Sequence, residues 1–356
     1  MLDSIQELNI KSYRGIENLH INNLGAVNIL VGDNNVGKTS VLEAIQLLGA
    51  PTEKRIYDIS KQRENYNFIR IGLNDLDAVA FMFNINNKHT IEISGVINGV
   101  TGNVIIKGEK AVRTVNYDSL RKAEREYYKV VLRGNTEIES WVGEIINTFD
   151  NNSVPYEINN LSRIMKNSND NVLILTSMVK TIDYAKDNPF DELIKNKSIK
   201  KKTVELLKYF DENIIDIRYI SDGGMFVPVV DVSEDEYLPL SLYGDGMQKV
   251  LTIINAVIKA ENGVALIDEF ETALHTSVMS KVFRFMIDVA KKMNVQLFLT
   301  THSIEAVDKL LESASDDIGS VRVIRVRKGK EKIFAKVLDG IKALEFRNNY
   351  DMELRV

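Results

Sequence analysis

The residues whose types and spacing most directly suggest chemistry lie between positions 27 and 48. The apolar stretch Val27–Val31 is followed by a Gly-x-x-x-x-Gly-Lys-Thr pattern at residues 32–39, and then by apolar residues at helical spacing. A strand, a glycine-containing loop and a helix in this order form the context that a phosphate-binding P-loop requires. A glycine-containing surface turn is the alternative, and the flanking strand and helix disfavour it.

Each residue type in this loop has a chemical reason to be there. Gly32 and Gly37 allow backbone angles that turn several N–H groups toward one phosphate, and the helix N-terminus adds partial positive charge. Lys38 would reach the β- and γ-phosphates of ATP, and the Thr39 hydroxyl would bind Mg²⁺. The nucleotide-binding residues predicted in this segment are Gly32, Asn34, Asn35, Val36, Gly37, Lys38, Thr39 and Ser40.

A pair of carboxylates forms the second candidate group. The apolar strand Val264–Ile267 ends directly in Asp268 and Glu269, and carboxylates at the end of a buried strand are unfavourable unless they bind something. Beside a P-loop, Asp268 would hold Mg²⁺ through water, while Glu269 would orient and deprotonate the attacking water. An ordinary solvated strand end is the alternative.

A histidine follows the next predicted strand, in the sequence Thr-Thr-His-Ser at residues 300–303. From there His302 could hydrogen-bond the γ-phosphate or the nucleophilic water. Simple capping of the next helix by Ser303 is the alternative. The predicted catalytic residues are therefore Glu269 and His302, and the predicted metal-binding residues are Thr39 and Asp268.

Composition limits the remaining possibilities. The chain has 356 residues, of which 44% are hydrophobic and 27% charged, as in an ordinary globular protein that could contain two or three domains or one core with an inserted lobe. A net charge of −5 argues against a generally basic, nucleic-acid-coating surface, so any nucleic-acid contact must be local or made by a partner. The absence of cysteine excludes disulfides, thiolate catalysis and cysteine-based zinc sites, and it suits a cytoplasmic location. We expect no signal peptide and no membrane span.

Apolar periodicity predicts the elements that position these groups. Residues 5–12 and 16–21 alternate as a hairpin around Tyr13-Arg14-Gly15, and residues 78–117 alternate as an antiparallel meander with turns at 86–87, 98–99 and 107–108. Residues 51–75 show no clear pattern. From about residue 118 to 211, charged helical patterns take over, for example at residues 120–132 and 202–210. No heptad repeat persists long enough to encode a coiled-coil arm.

The last third of the chain alternates strands and helices. A predicted hairpin at residues 214–232 precedes helix 244–260, strand 264–267, helix 277–293, strand 295–300, helix 303–311 and a final hairpin at 320–337. This alternation predicts parallel pairing. We therefore expect three parts: an N-terminal ATPase lobe at 1–117, a helical insertion at 118–213 and a C-terminal ATPase lobe at 214–356. The basic run at 195–202 fits a solvated helix end better than a phosphate-backbone contact.

The order of these motifs resembles the SMC/RecF-like branch of the ABC ATPases, and in particular the ATPase part of the OLD (overcoming lysogenization defect) family and its standalone relatives. The resemblance is carried by residues 8–16, the P-loop, the Ser-Leu-Tyr-Gly-Asp-Gly-Met-Gln segment at 241–248, Ile-Asp-Glu-Phe-Glu-Thr-Ala-Leu-His at 267–275 and Thr-Thr-His-Ser. The implied fold is α/β: a P-loop ABC-type ATPase head with a mixed parallel sheet, an antiparallel β meander and an inserted helical lobe.

The resemblance also implies site residues. The family's signature segment corresponds to Ser241, Gly244 and Gly246, which would bind the γ-phosphate of ATP held by the other subunit. Three positions separate Ser241 from Gly244 here, which departs from the usual Leu-Ser-Gly-Gly-Gln spacing. A head-to-tail homodimer enclosing two ATP molecules is implied, with residues 271–275 as the D-loop, His302 as the switch histidine and Arg14 near the nucleotide.

Four functions compete at this point. Full-length OLD proteins continue into a TOPRIM nuclease domain, and no Glu plus Asp-x-Asp cluster follows residue 303 here. The resemblance thus implies an ATP-hydrolysing homodimer, or larger homo-oligomer, that regulates a separately encoded effector such as a TOPRIM-type or other nuclease in bacterial anti-phage defence. The alternatives are a RecF-like repair ATPase that clamps duplex DNA, the nucleotide-binding subunit of an ABC transporter, and a non-hydrolysing scaffold.

Overall fold

The computed structural model describes residues 4–49, 51, 53–61, 82–83, 90–118, 121–136, 140–147, 176–179, 190–222, 224–329 and 332–350. Two short 3₁₀ helices, Leu240–Leu242 and Ser315–Ser320, supplement the regular elements. In chain order the strands and helices are β1 (Ile5–Tyr13), β2 (Ile16–Ile21), β3 (Val27–Val31), α1 (Lys38–Gly49), α2 (Glu53–Lys61), β4 (Thr90–Ile97), β5 (Val100–Asp118), β6 (Arg121–Thr136), β7 (Ser140–Asn147), β8 (Thr176–Val179), α3 (Asp191–Lys195), α4 (Lys197–Leu207), β9 (Asp216–Asp222), β10 (Met225–Asp231), β11 (Tyr237–Pro239), α5 (Asp245–Lys259), β12 (Val264–Ile267), α6 (Thr276–Lys292), β13 (Gln296–Thr301), α7 (Ile304–Ser313), β14 (Val321–Lys328), β15 (Ile333–Asp339) and α8 (Gly340–Tyr350).

A mixed six-stranded sheet carries the P-loop strand at its centre. The strand order is β15-β14-β3-β13-β12-β8, and only the β14–β15 pair in this sheet is antiparallel. Strands β3, β12 and β13 are buried along their whole length, because the sheet is covered on both faces. That burial explains why β12 is apolar throughout and why β3 and β13 contain consecutive apolar residues at 29–31 and 297–299. The parallel register brings the carboxyl ends of β3, β12 and β13 to the same edge.

A second, antiparallel sheet lies across α1 from the first. Its strand order is β2-β1-β4-β5-β6-β7. Helix α1 packs against both sheets, so eleven of its twelve residues are buried. One core fills the space between the mixed sheet, α1 and the antiparallel sheet, and another lies between the opposite face of the mixed sheet and helices α3 to α8. A small third sheet, β11-β10-β9, precedes α5.

The predicted helix at residues 120–132 is wrong, and the helical insertion at 118–213 begins with strands. Strand β6 pairs with β5 along nearly its whole length and with β7 on its other side. Paired tyrosines and valines at 127–128 and 130–131 favour strand, and the long ladder with β5 supplies the backbone hydrogen bonds. The predicted turn at 107–108 is wrong too, because both residues lie within β5. Helices α3 and α4 occupy 191–207, while 148–175 and 180–189 lie outside the described residues.

Most other predicted elements are confirmed to within two residues. These include the hairpin around Tyr13-Arg14-Gly15, the turn at 98–99, the hairpins β9–β10 and β14–β15, helices α5 to α7, and the parallel pairing of the last third of the chain. The predicted helix at 202–210 overlaps α4, which begins earlier, at Lys197, and ends at Leu207. The predicted turn at 86–87 lies outside the described residues. Helices α2 and α8 were not predicted. Among the residues that the structure describes, no helix combines the length and apolarity needed to cross a bilayer.

Gly95 of β4 lets the end of α1 lie close to the antiparallel sheet. A Cβ atom at this position would lie 2.6 Å from the backbone oxygen of Glu7 and 2.8 Å from a methyl group of Leu48. We expect Gly95→Ala to lower the free energy of unfolding in urea by about 1–3 kcal/mol, because the helix or strand must shift. Gly319→Ala, where a Cβ meets nothing within 4 Å, should change it by less than about 0.5 kcal/mol. Equal stability of the two variants would contradict this packing argument.

Candidate active site

A cavity of 510 Å³ lies at the carboxyl edge of the mixed sheet. It is enclosed by the β1–β2 turn, the P-loop, the ends of β12 and β13, and the β14–β15 hairpin. Its lining residues are Arg14, Gly15, Ile16, Asn34, Asn35, Gly37, Lys38, Thr39, Ser40, Asp268, Glu269, Thr300, His302, Lys328 and Ile333. The structure therefore brings the P-loop, the carboxylate pair and the histidine together, while their chemical roles stay predictions.

The loop between β3 and α1 has the backbone angles that the glycine pattern anticipates. The φ angles of Gly32, Asn35 and Gly37 are 149°, 63° and 96°. A Cβ on Gly32 would lie 2.2 Å from the backbone oxygen of Val326 in β14. Gly32 thus fits the close approach of β14 as well as the turn itself, although it does not line the cavity. Val36 also stays out of the cavity because it is buried in the core beneath the loop.

Lys38 lies folded over this loop. Its Nζ donates hydrogen bonds to the backbone oxygens of Gly32 at 2.6 Å and Asp33 at 2.8 Å. Burial lowers the pKa of Lys38, and the nearby carboxylates of Asp268 and Glu269 offset part of that effect. The ammonium group is thus held by carbonyl dipoles at a place where an anionic ligand would interact with it favourably.

Asp268 links three separate segments by hydrogen bonds. Its carboxylate accepts from Thr39 Oγ1 at 3.0 Å and from Thr300 Oγ1 at 2.5 Å. The Thr300 oxygen also accepts from the backbone N–H of Glu269 at 2.9 Å. Thr300 is fully buried, and the sequence analysis missed it as a site residue. It orients both carboxylate-bearing residues from the neighbouring strand.

Glu269 and His302 face each other at the mouth of the cavity. His302 Nδ1 lies 4.0 Å from Glu269 Oε1, and their side chains are 48% and 40% exposed. Glu269 adopts a left-handed backbone conformation with φ of 47°. A non-glycine residue keeps such a conformation when its surroundings enforce it. The hydrogen bond to Thr300 described above is one such constraint.

A second constraint comes from a buried lysine. Lys249 of α5 is completely inaccessible to solvent, and its Nζ donates to the backbone oxygens of Glu269 at 3.2 Å and Asp268 at 3.5 Å. The sequence analysis did not select Lys249. A usable signal was present, because Lys249 lies on the same helical stripe as Ile253 and Ala256, both of which are buried. A lysine on an apolar stripe needs buried polar partners.

Arg14 lines the cavity from the β1–β2 turn and is tied to α1. Its Nε lies 2.8 Å from Glu43 Oε2, and that oxygen also accepts a hydrogen bond from the Tyr13 hydroxyl at 3.0 Å. Glu43 is fully buried. Burial alone would lower the pKa of Arg14, but Tyr13 and Glu43 outweigh it and the pKa is raised. The guanidinium is thus a permanent positive charge at the cavity wall.

The candidate signature residues lie outside this cavity. Ser241 and Gly244 are exposed just before α5, and Gly246 lies in its first turn. A Cβ on Gly246 would lie 2.6 Å from the backbone oxygen of Ala273. The glycine therefore lets α5 approach the turns at 271–275 that follow the carboxylate pair. Within that segment Glu271 accepts from Thr301 Oγ1 at 2.5 Å, and His275 caps α6.

Comparison with known protein families decides the broad identity. The profile of a family described as "AAA domain" matches residues 7–236, which is more than half of the chain, and one described as "AAA ATPase domain" matches residues 182–307. The chain belongs to the AAA-domain family. It is an ATPase, which binds and hydrolyses ATP.

Two curated relatives extend over most of this AAA-family ATPase, and a third matches a shorter stretch. An "ATP/GTP phosphatase" of Helicobacter pylori is 25% identical over 334 residues, covering 86% of this chain and 87% of the relative. The Septu protein PtuA of Bacillus thuringiensis is 24% identical over 342 residues, covering 90% and 78%. The DNA replication and repair protein RecF of Nitrosococcus oceani is 34% identical over 98 residues, covering 28% and 24%.

A solved structure shows the same fold. The Smc head in its crystal structure with the C-terminal winged-helix domain of ScpA superposes on this chain with a TM-score of 0.52. The match covers 96% of this chain and 99% of the Smc head at 14% sequence identity. The expectation of an ABC-type ATPase head with mixed parallel and antiparallel sheets is confirmed.

The contact between Lys249 and the carboxylate-bearing turn predicts an effect on turnover. In Lys249→Met the turn loses a buried cation, so Glu269 is held less firmly, and we expect kcat for ATP hydrolysis to fall roughly tenfold or more. KM should change much less, because Lys249 does not line the cavity. Lys259→Met, which removes a partly exposed lysine from the same helix, is the matched control. A lowered melting temperature with an unchanged kcat would show that Lys249 serves stability alone.

Proposed function

We propose that this ATPase is an ATP-driven switch of the OLD family that dimerises around nucleotide and regulates a separately encoded effector. One observation carries the proposal. The P-loop, Asp268 and Glu269 share one cavity, whereas Ser241, Gly244 and Gly246 lie outside it on the same molecule. A signature segment that is to contact the γ-phosphate must then come from a second copy.

The donor groups in the cavity fit Mg²⁺ bound with ATP. Thr39 Oγ1 and the Asp268 carboxylate are hard oxygen donors 3.0 Å apart. Among the described residues no group of three or more His, Cys, Asp or Glu side chains could hold a metal alone, so phosphate and water oxygens would supply the remaining ligands. The bound ion would supply charge neutralisation on the phosphates.

The chain's own residues would then divide the remaining work. Lys38 and the loop N–H groups would bind the β- and γ-phosphates, and Arg14 would add a fixed positive charge at the wall. Glu269 would accept a proton from the attacking water, and His302 across the cavity mouth would orient that water or the γ-phosphate. The products are ADP and inorganic phosphate.

The effector role rests on likeness to relatives. The similarity to the Septu protein PtuA runs along 90% of this chain, which supports a setting in anti-phage defence with a nuclease or other effector as partner. A RecF-like clamp on duplex DNA is the second candidate, favoured by the shorter but closer match to RecF. Tight, salt-dependent binding of duplex DNA by the purified ATPase would favour it.

Substitution of the proposed general base tests the chemistry. Glu269→Gln keeps the shape of the side chain but removes its basicity, so we expect the rate of ATP hydrolysis to fall by about 10²-fold or more. Binding of ATP, measured by titration of a fluorescent analogue, should persist. Glu305→Gln, an exposed change on α7, should leave the rate unaltered. A rate within about threefold of the unsubstituted protein would remove Glu269 from its assigned role.

The dimer is tested separately with the same variant. Because Glu269→Gln traps ATP, we expect its solution mass in light scattering to double with Mg²⁺ and ATP but not with ADP. Adding Ser241→Arg, which places a bulky cation at the proposed interface, should abolish the increase while nucleotide binding remains. A monomeric mass under every condition would contradict the proposal of an ATP-dependent dimer. A constant larger mass would mean that another interface holds the copies together.

A further inference from the structure

The β14–β15 hairpin is a basic segment in an acidic protein. Residues 321–339 contain seven lysines and arginines but only two carboxylates, whereas the whole chain has a net charge of −5. The structure describes five of these cations in the outer half of the hairpin, namely Arg325, Arg327, Lys328, Lys332 and Lys336. A local concentration of positive charge of this kind is typical of a surface that binds an anionic macromolecule.

Strand register collects these groups on one face. Arg327 lies directly opposite Phe334, and Arg325 lies directly opposite Lys336. Residues paired across an antiparallel ladder share a face, as do residues two apart along a strand. The inner part of this face is apolar and buried at Val323. Its outer part thus carries three cations around one aromatic ring.

That ring is exposed and held in place. Phe334 is 59% exposed. Gly329 lies beneath the ring, since a Cβ there would be 2.7 Å from a ring carbon of Phe334. The turn that carries Gly329 is closed by a 2.8 Å hydrogen bond from its N–H to the backbone oxygen of Lys332. The hairpin therefore presents the ring toward solvent instead of burying it.

The five cations in the outer half of this hairpin form no ion pair with a carboxylate in the part of the chain that the structure describes. None of the described ion pairs includes Arg325, Arg327, Lys328, Lys332 or Lys336. Nε and one terminal nitrogen of Arg325 are buried and donate no hydrogen bond to a described residue. Burial, and to a lesser extent the positive charge of Arg327, lowers the pKa of Arg325. The positive charges of these side chains repel one another, and a bound anion would relieve that repulsion.

We propose that this hairpin face binds single-stranded nucleic acid, with a base stacked on Phe334 and phosphates held by Arg327 and Lys336. A single strand offers both an accessible planar base and regularly spaced phosphates, which is the combination that an exposed ring among cations recognises. An acidic peptide would pair with the cations but would leave Phe334 without a planar partner. The inference goes beyond the proposed switch function and requires neither dimerisation nor turnover.

The other face of the same hairpin borders the ATP cavity. Lys328 and Ile333, which are directly opposite each other, line that cavity. A strand bound on the outer face would therefore lie one sheet thickness from the nucleotide. Lys328 is left unchanged in the test below, so that the nucleotide site stays intact.

The test is fluorescence anisotropy of a labelled single-stranded DNA of about 20 nucleotides, measured without ATP at salt concentrations between about 50 and 200 mM. Arg327→Gln with Lys336→Gln should reduce the slope of log affinity against log salt by about 1.4, because each lost phosphate contact removes about 0.7. Phe334→Leu should weaken binding roughly fivefold or more at fixed salt while leaving the slope unchanged.

The control removes the same charge elsewhere. Lys201→Gln with Lys202→Gln alters two exposed lysines of α4 in the chain's other basic run, and it should leave affinity and slope unchanged. Unaltered ATPase rates would verify that all variants are folded. The proposal is overturned if the unsubstituted protein does not bind the strand at about 50 mM salt, or if the α4 variant alone loses binding. It is equally overturned if the matching duplex binds more tightly than the single strand.

Discussion

The carboxylate of Asp268 is the junction on which the site depends. Hydrogen bonds from Thr39 and Thr300 join the start of α1 to the ends of β12 and β13, and Thr300 at the same time fixes the backbone of Glu269. The junction exists because β3, β13 and β12 are parallel and in register, so that three chain segments end at one edge. A site built in this way gains rigidity from the sheet, because each polar group is anchored to a strand or helix buried in the core.

Strong local signals explain what could be predicted from the sequence. The P-loop, the Asp268-Glu269 pair and the apolar runs of β3 and β12 each combine a periodic pattern with a chemical reason, and the structure places them as expected. The helix predicted at residues 120–132 is wrong for a physical reason. Its charged residues fit a helix face as well as an exposed strand, and the ladder with β5 decides between the two only after the chain has folded.

The remaining site residues could not be found because their roles arise from tertiary contacts. Thr300 belongs to a fully buried strand, and nothing in a local pattern tells that its hydroxyl bonds Asp268 and Glu269. Lys249 is detectable in the sequence as a cation among apolar neighbours. Its partners, however, are the backbone oxygens of Asp268 and Glu269, which lie 19 and 20 residues further along the chain. Backbone acceptors leave no trace in the sequence. Ionic and polar contacts made to the main chain are therefore the part of an active site that pattern reasoning finds last.

The position of β3 between β13 and β14 has a consequence for biosynthesis. The P-loop strand emerges early from the ribosome, but the two strands that flank it are made much later. The hydrogen bond between Asn28 and Leu297, for example, joins residues that are 269 positions apart in the sequence. Until then, one of the most apolar segments of the chain has no partner in its sheet. Contacts of such long range slow folding and expose intermediates to aggregation. The P-loop strand can therefore complete its pairing only after the chain has been made through β14.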